Sequence, residues 1–155
     1  MWGWVAHCFR NYAVFNGRAG RPEYWWFFLF ILIVDFALQV VTRAAPTPGL
    51  ITLSTWTVLT VAPTWAVASR RLHDTGHSLW WNAAPLVPMT PIMILRVTHP
   101  AFVRGSGNVV TAAMFAATIL LLAFVILLVR VLILLCRTGD PGPNRYGDSA
   151  PTTPG

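Results

Sequence analysis

The sequence predicts an all-α integral membrane protein: an interfacial N-terminal helix followed by about four transmembrane helices. Three observations carry that prediction. Hydrophobic residues make up 55% of the 155-residue chain and charged residues only 10%, outside the usual range of soluble domains. Apolar runs approaching or exceeding the roughly 20 residues needed to cross the hydrocarbon layer recur along it. Arginines gather at the ends of those runs.

In residues 2–15, Trp2, Val5, Phe9 and Tyr12 fall at three- and four-residue spacing, an apolar stripe on a short helix. Its tryptophans and tyrosine favour the membrane interface. "NGRAGR" at 16–21 is a turn, and Pro22 suits the first position of a helix, where its missing N–H costs nothing. Glu23 follows in the first turn, complementing the positive end of the helix dipole. The first span is predicted over about 22–41, with "TRAAPTPG" at 42–49 as a link. The second span covers about 50–69. It carries Pro63, which frees the carbonyl of Leu59, with the hydroxyls of Thr60 and Thr64 at hand to satisfy it.

A third segment, 79–95, has prolines at 85, 88 and 91 and reads as a bent or broken helix; a polar loop follows at 96–108. The run 109–136, interrupted only by Arg130, is the clearest span. A single membrane domain over 1–148 results, with 137–155 a polar tail rich in Pro and Gly.

The formal charge of +6 comes from arginine alone, since the chain has no lysine. These arginines flank apolar segments rather than lining a soluble basic face, which argues against nucleic acid and for anionic lipid headgroups as the counter-charge. With four spans, one side receives Arg10, Arg18, Arg21, Arg70, Arg71, Arg137 and Arg145, and the other Arg43, Arg96 and Arg104. The excess is expected to place both termini in the cytoplasm. Cys8 and Cys136 lack metal-type spacing, and the N-terminus lacks the features of a signal peptide.

"FRNYAVFNGRAGRPEYWWFFLF", "RRLHDTGHSLWW" and "GDPGPNRYG" resemble, in order, the three signature blocks of the YhaH-like small bacterial inner-membrane proteins, a domain-of-unknown-function family. The blocks cover most of residues 9–148. The chain departs from the pattern at Leu79, where the family has a small residue, and in the length between Trp81 and the tail. The resemblance implies an inner-membrane location and supplies no reaction or ligand.

The candidate site is the face where these blocks would meet: Arg18, Arg21, Glu23, Arg70, Arg71, His73, Asp74, Asn144 and Arg145, expected to bind anionic lipid or a partner. Of the adjacent pair Arg70 and Arg71, one is expected to face lipid and one protein. Ion pairs between the blocks are expected to be exposed, specifying an arrangement more than stabilising it. Within the membrane, Asp35 is predicted to be neutral or paired with Arg130, orienting the first and fourth spans. Asp35, Thr60 and Arg130 would serve the alternative function, a small oligomeric transporter or channel component. His73, Asp74 and His77 have the chemistry of metal ligands, but Gly76 between the histidines predicts a turn, and no metal or other cofactor is expected. Phosphate loops, nucleophile elbows and zinc-protease helices are absent from the sequence, so the reading is a scaffold or interaction protein rather than an enzyme.

Overall fold

The structure, a computed structural model, describes residues 1–91, 93, 94 and 108–153. Among the described residues the architecture is all-α: α1 (Trp2–Arg10), α2 (Arg21–Ala44), α3 (Pro46–Asp74), α4 (Trp80–Ala83), a 3-10 helix over Ala84–Met89, and α5 (Asn108–Cys136). Three helices among the described residues are long and apolar enough to cross a membrane: Arg21–Ala44, Pro46–Asp74 and Phe115–Cys136. The chain divides into two compact units, Met1–Leu79 with Leu135–Gly155, and Trp80–Leu134.

In the first unit, α1 is shorter than the predicted 2–15. Asn11 ends it, donating from its backbone N–H and its side chain to the carbonyl of His7 (both 3.0 Å). Trp4, Val5 and Cys8 are buried, and Phe9 sets its ring edge-on against Phe27 and Phe30 of α2. Burial, with the Glu23 carboxylate beside it, pushes the Cys8 thiol up to about 12. The thiol is therefore protonated near neutral pH and poorly nucleophilic. In a Cys136→Ser variant, N-ethylmaleimide should leave Cys8 unlabelled in native membranes and modify it after SDS denaturation, read by mass spectrometry.

The predicted eight-residue link between the first two spans contracts to Ala45, because α2 runs on to Ala44 and Pro46 opens α3 at a first-turn position. Gly49 makes this tight hairpin possible. A Cβ there would lie 2.4 Å from the Thr42 Cα, so only glycine lets the two backbones approach this closely.

Helix α3 continues through Pro63. The carbonyl that the proline frees, that of Leu59, accepts a hydrogen bond from the Tyr12 hydroxyl. Thr60, one of the two predicted donors, instead bonds Trp56 O at 2.8 Å on its own helix. Tyr12→Phe is expected to cost about 1 kcal/mol. The cost should shrink in a Pro63→Ala background, where the backbone N–H is restored, and thermal melts of the four proteins measure that coupling.

Beyond the predicted end at Ser69, α3 runs on to Asp74, so Arg70, Arg71, His73 and Asp74 lie on its last turns. Gly76 stops it at φ +73°, with His77 N–H reaching Leu72 O (2.9 Å) and Gly76 N–H reaching His73 O (3.0 Å). This is the Schellman pattern, in which a left-handed glycine closes the helix end.

The described residues of the predicted segment 79–95 form none of the three helices long enough to span. After α4 the chain tightens into the 3-10 helix, where Pro85 and Pro88 are buried. A 3-10 helix has three residues per turn, so prolines spaced by three align on one face instead of breaking an α-helix at successive points. Residues 92 and 95, and all of the predicted loop at 96–108 except its last residue, lie outside the described residues. The run assigned to 109–136 forms α5.

Candidate functional site: a buried ionic junction

The three sequence blocks converge in the first unit on Asp74. Its Oδ1 accepts from Arg18, Nε at 2.9 Å and Nη2 at 2.8 Å, and its Oδ2 accepts from Arg71 Nη1. The backbone closes the same junction, with Asp140 N–H donating to Asp74 O at 2.8 Å.

Each guanidinium spends its other donors on main-chain carbonyls. Arg71 Nε donates to Leu135 O at 3.0 Å, and its Nη2 to Arg137 O. It thereby satisfies carbonyls at the C-terminal end of α5, where a cation also complements the helix dipole. Arg18 Nη1 and Nη2 bond the carbonyls of Gly142 and Asp140 in the tail. Two arginines, one carboxylate and four tail or helix-end carbonyls therefore form one cluster.

The tail is held further along. Asn144 Nδ2 donates to His73 O and to Asp140 Oδ2, both at 3.0 Å. Arg145 Nη2 donates to Gly76 O at 3.0 Å. The Tyr146 ring stacks on His73, centroids 3.8 Å apart and planes 6° from parallel, while Nδ1 of His73 is 3.2 Å from Gly17 O. Gly139 is there because no side chain fits: a Cβ would stand 2.0 Å from Asp74 Oδ2.

A second pair lies beside the junction. Arg70 Nη1 meets Glu23 Oε1, which also has His7 Nε2 at 3.9 Å and Cys8 Sγ at 3.9 Å. Glu23 Oε2 and Arg70 Nε and Nη2 have no partner among the described residues, so this pair is less completely satisfied than the Asp74 cluster.

Burial corrects the expected picture. Arg71 and Glu23 are 0% exposed, Arg70 5% and Arg18 6%. Neither Arg70 nor Arg71 faces outward, and the ion pairs linking the blocks are interior ones. The reason is that α3 continues past Ser69, which keeps Arg70 to Asp74 inside the packed end of the helices instead of on an open turn. Arg21 and Arg145 remain exposed, as does Arg137.

The histidines do not share a ligand set. His73 takes the contacts above, and the His77 ring meets Thr75 O at 2.6 Å; among the described residues no group of three His, Cys, Asp or Glu side chains is placed to hold a metal ion.

Inside the apolar region, Asp35 Oδ1 accepts a 2.8 Å hydrogen bond from Trp56 Nε1. Within the first unit its hydrogen-bond partner is thus the second span's indole. The two lie ten residues before and eleven after Ala45, which puts them at matching depth in an antiparallel hairpin. That arithmetic was available in the sequence; the indole N–H was the signal overlooked. Arg130, in the second unit, stacks over the Trp81 ring at 4.4 Å.

With this geometry described, comparison with known proteins places the chain. The family model "Protein of unknown function (DUF805)" matches residues 12–148. The chain belongs to the DUF805 family. That match takes in all three blocks of the junction. Among DUF805 relatives, "Inner membrane protein YhaH" of Escherichia coli (strain K12) is 29% identical over 149 residues, covering 93% of each chain. "Inner membrane protein YhaI" of the same strain is 36% identical over 96 residues, 61% of this chain and 80% of the other. No solved structure matches the chain. The membrane reading of the DUF805 chain thus stands on its apolar helices and on relatives that are inner membrane proteins.

Proposed function

We propose that the protein is a small multi-pass inner-membrane scaffold, with four crossings and both termini cytoplasmic, whose arginine-rich face docks on anionic lipid or an acidic membrane partner. The observation that carries this reading is the Arg18–Asp74–Arg71 cluster. It holds three distant stretches of chain in one arrangement, and it leaves Arg21, Arg137 and Arg145 exposed at that end.

What supports four crossings is parity. Residues 73–76 hydrogen-bond residues 140–145, so both belong on one side of a bilayer and the chain between them crosses an even number of times. On this reading helix α5 is one of those crossings, and a second one between His77 and α5 completes the even number. The arginine count then favours the cytoplasm for this side.

Phosphatidylglycerol should raise the melting temperature of the detergent-solubilised chain more than phosphatidylcholine does. The extra shift should fall in the R21Q/R137Q/R145Q variant and at high salt, which screens exposed charges. Equal shifts in variant and parent would remove the lipid reading; crosslinking in native membranes then tests the partner.

A second reading, a small oligomeric transporter, draws on Asp35, held at 2.8 Å by Trp56 within the apolar hairpin. Proton flux in vesicles that is unchanged by Asp35→Asn would leave that residue a structural role only.

A further inference from the structure

The second unit, Trp80–Leu134, contains no acidic residue, yet it carries an exposed arginine on a helix built to span. Arg130 lies seven residues before Arg137, the residue after α5, or about 10 Å along the helix axis. A flexible arginine side chain covers most of that distance by snorkelling. With the membrane boundary at Arg137, the guanidinium would lie near the junction of headgroups and acyl chains; Ile126, Val129 and Ile133, its neighbours on the helix, are exposed apolar side chains.

Trp81 sets how that charge is presented. The guanidinium carbon is 4.4 Å from the Trp81 ring centroid, so the indole covers one face of the planar group, and a stacked arginine keeps its N–H donors pointing outward in its plane. Trp80, 74% exposed beside it, has the amphipathic ring that anchors at interfaces. A planar fork of donors matches two phosphate oxygens at once, and at this depth the available counter-charge is a lipid phosphate.

We propose that Arg130 and Trp81 form a binding site for the phosphate of an anionic phospholipid. The inference rests on the lipid-docking reading above and gives it a discrete site: one headgroup on an oriented arginine, distinct from diffuse attraction to the exposed arginines.

Native mass spectrometry of the full chain released from phosphatidylglycerol-containing nanodiscs tests it. The expected result is one tightly retained phosphatidylglycerol that survives a high-salt wash, is not replaced by phosphatidylcholine, and is lost in Arg130→Gln. Trp81→Leu, which removes the ring but keeps the charge, should retain it more weakly than the parent. Asp35→Asn should leave it bound. Retention undiminished in Arg130→Gln, or equal retention of the zwitterionic lipid, overturns the proposal. The R21Q/R137Q/R145Q variant separates the two readings, since it should lose the salt-sensitive stabilisation and keep the tightly held lipid.

Discussion

Replacing Asp74 with alanine is expected to release the tail from the charged end and to destabilise the fold by about 3–5 kcal/mol, the range for removing one partner of a buried ion pair. The argument is in the burial of what remains. Arg18 and Arg71 are 6% and 0% exposed, and Asp74 is the carboxylate that both of them contact. Without it, two guanidinium groups stay inside with only carbonyl acceptors, neither neutralised nor hydrated. Limited trypsin digestion should then cut at Arg137 and Arg145 far sooner than in the parent, and the thermal midpoint should drop. Asp74→Asn, which keeps the shape but not the charge, should give a similar loss. If either variant leaves the tail as resistant as before, the cluster is not what holds it.

Gly139→Ala is expected to reproduce much of that effect without replacing a charged residue. Its Cβ would meet Asp74 Oδ2 at 2.0 Å and Cγ at 2.5 Å. The carboxylate cannot swing away cheaply, because Arg18 grips one oxygen and Arg71 the other. Either the tail lifts or the arginines lose their shared acceptor, a strain of about 1–3 kcal/mol on the scale of overpacked interiors. Gly142→Ala is the matched control. Nothing lies within 4 Å of a Cβ at that position, so its effect should stay within about 0.5 kcal/mol. The same trypsin and melting assays distinguish the two, and equal behaviour of both variants would refute the packing account.

The membrane character, the extents of the long helices α2 and α5 to within a few residues, and the three charged blocks were all legible along the chain. They depend on local composition and on periodicity, which do not require knowing what a residue meets. Less legible was the path of the prolines. Pro85 and Pro88 looked like helix breakers and instead pack on one face of a 3-10 helix, while Pro63 had its freed carbonyl capped from 47 residues away by Tyr12. Such a donor has no local signature, since any hydroxyl or indole N–H that folding brings close would serve. The Asp35–Trp56 bond was missed for the same reason, although the symmetry of both residues about Ala45 pointed to it.

By itself the sequence determined that this chain belongs in a membrane and that its charge falls mostly at the ends of the apolar runs, because burying apolar area and excluding charge from hydrocarbon are additive over residues and can be read one at a time. Which arginine meets which carboxylate, and whether the pair is wet or buried, only the tertiary structure decided. The energy of an ion pair depends on distance and on how much water the packing around it removes. Arg70 and Arg71 carry the same charge and adjoin in sequence, yet one turns to Glu23 and the other to Asp74 and the end of α5.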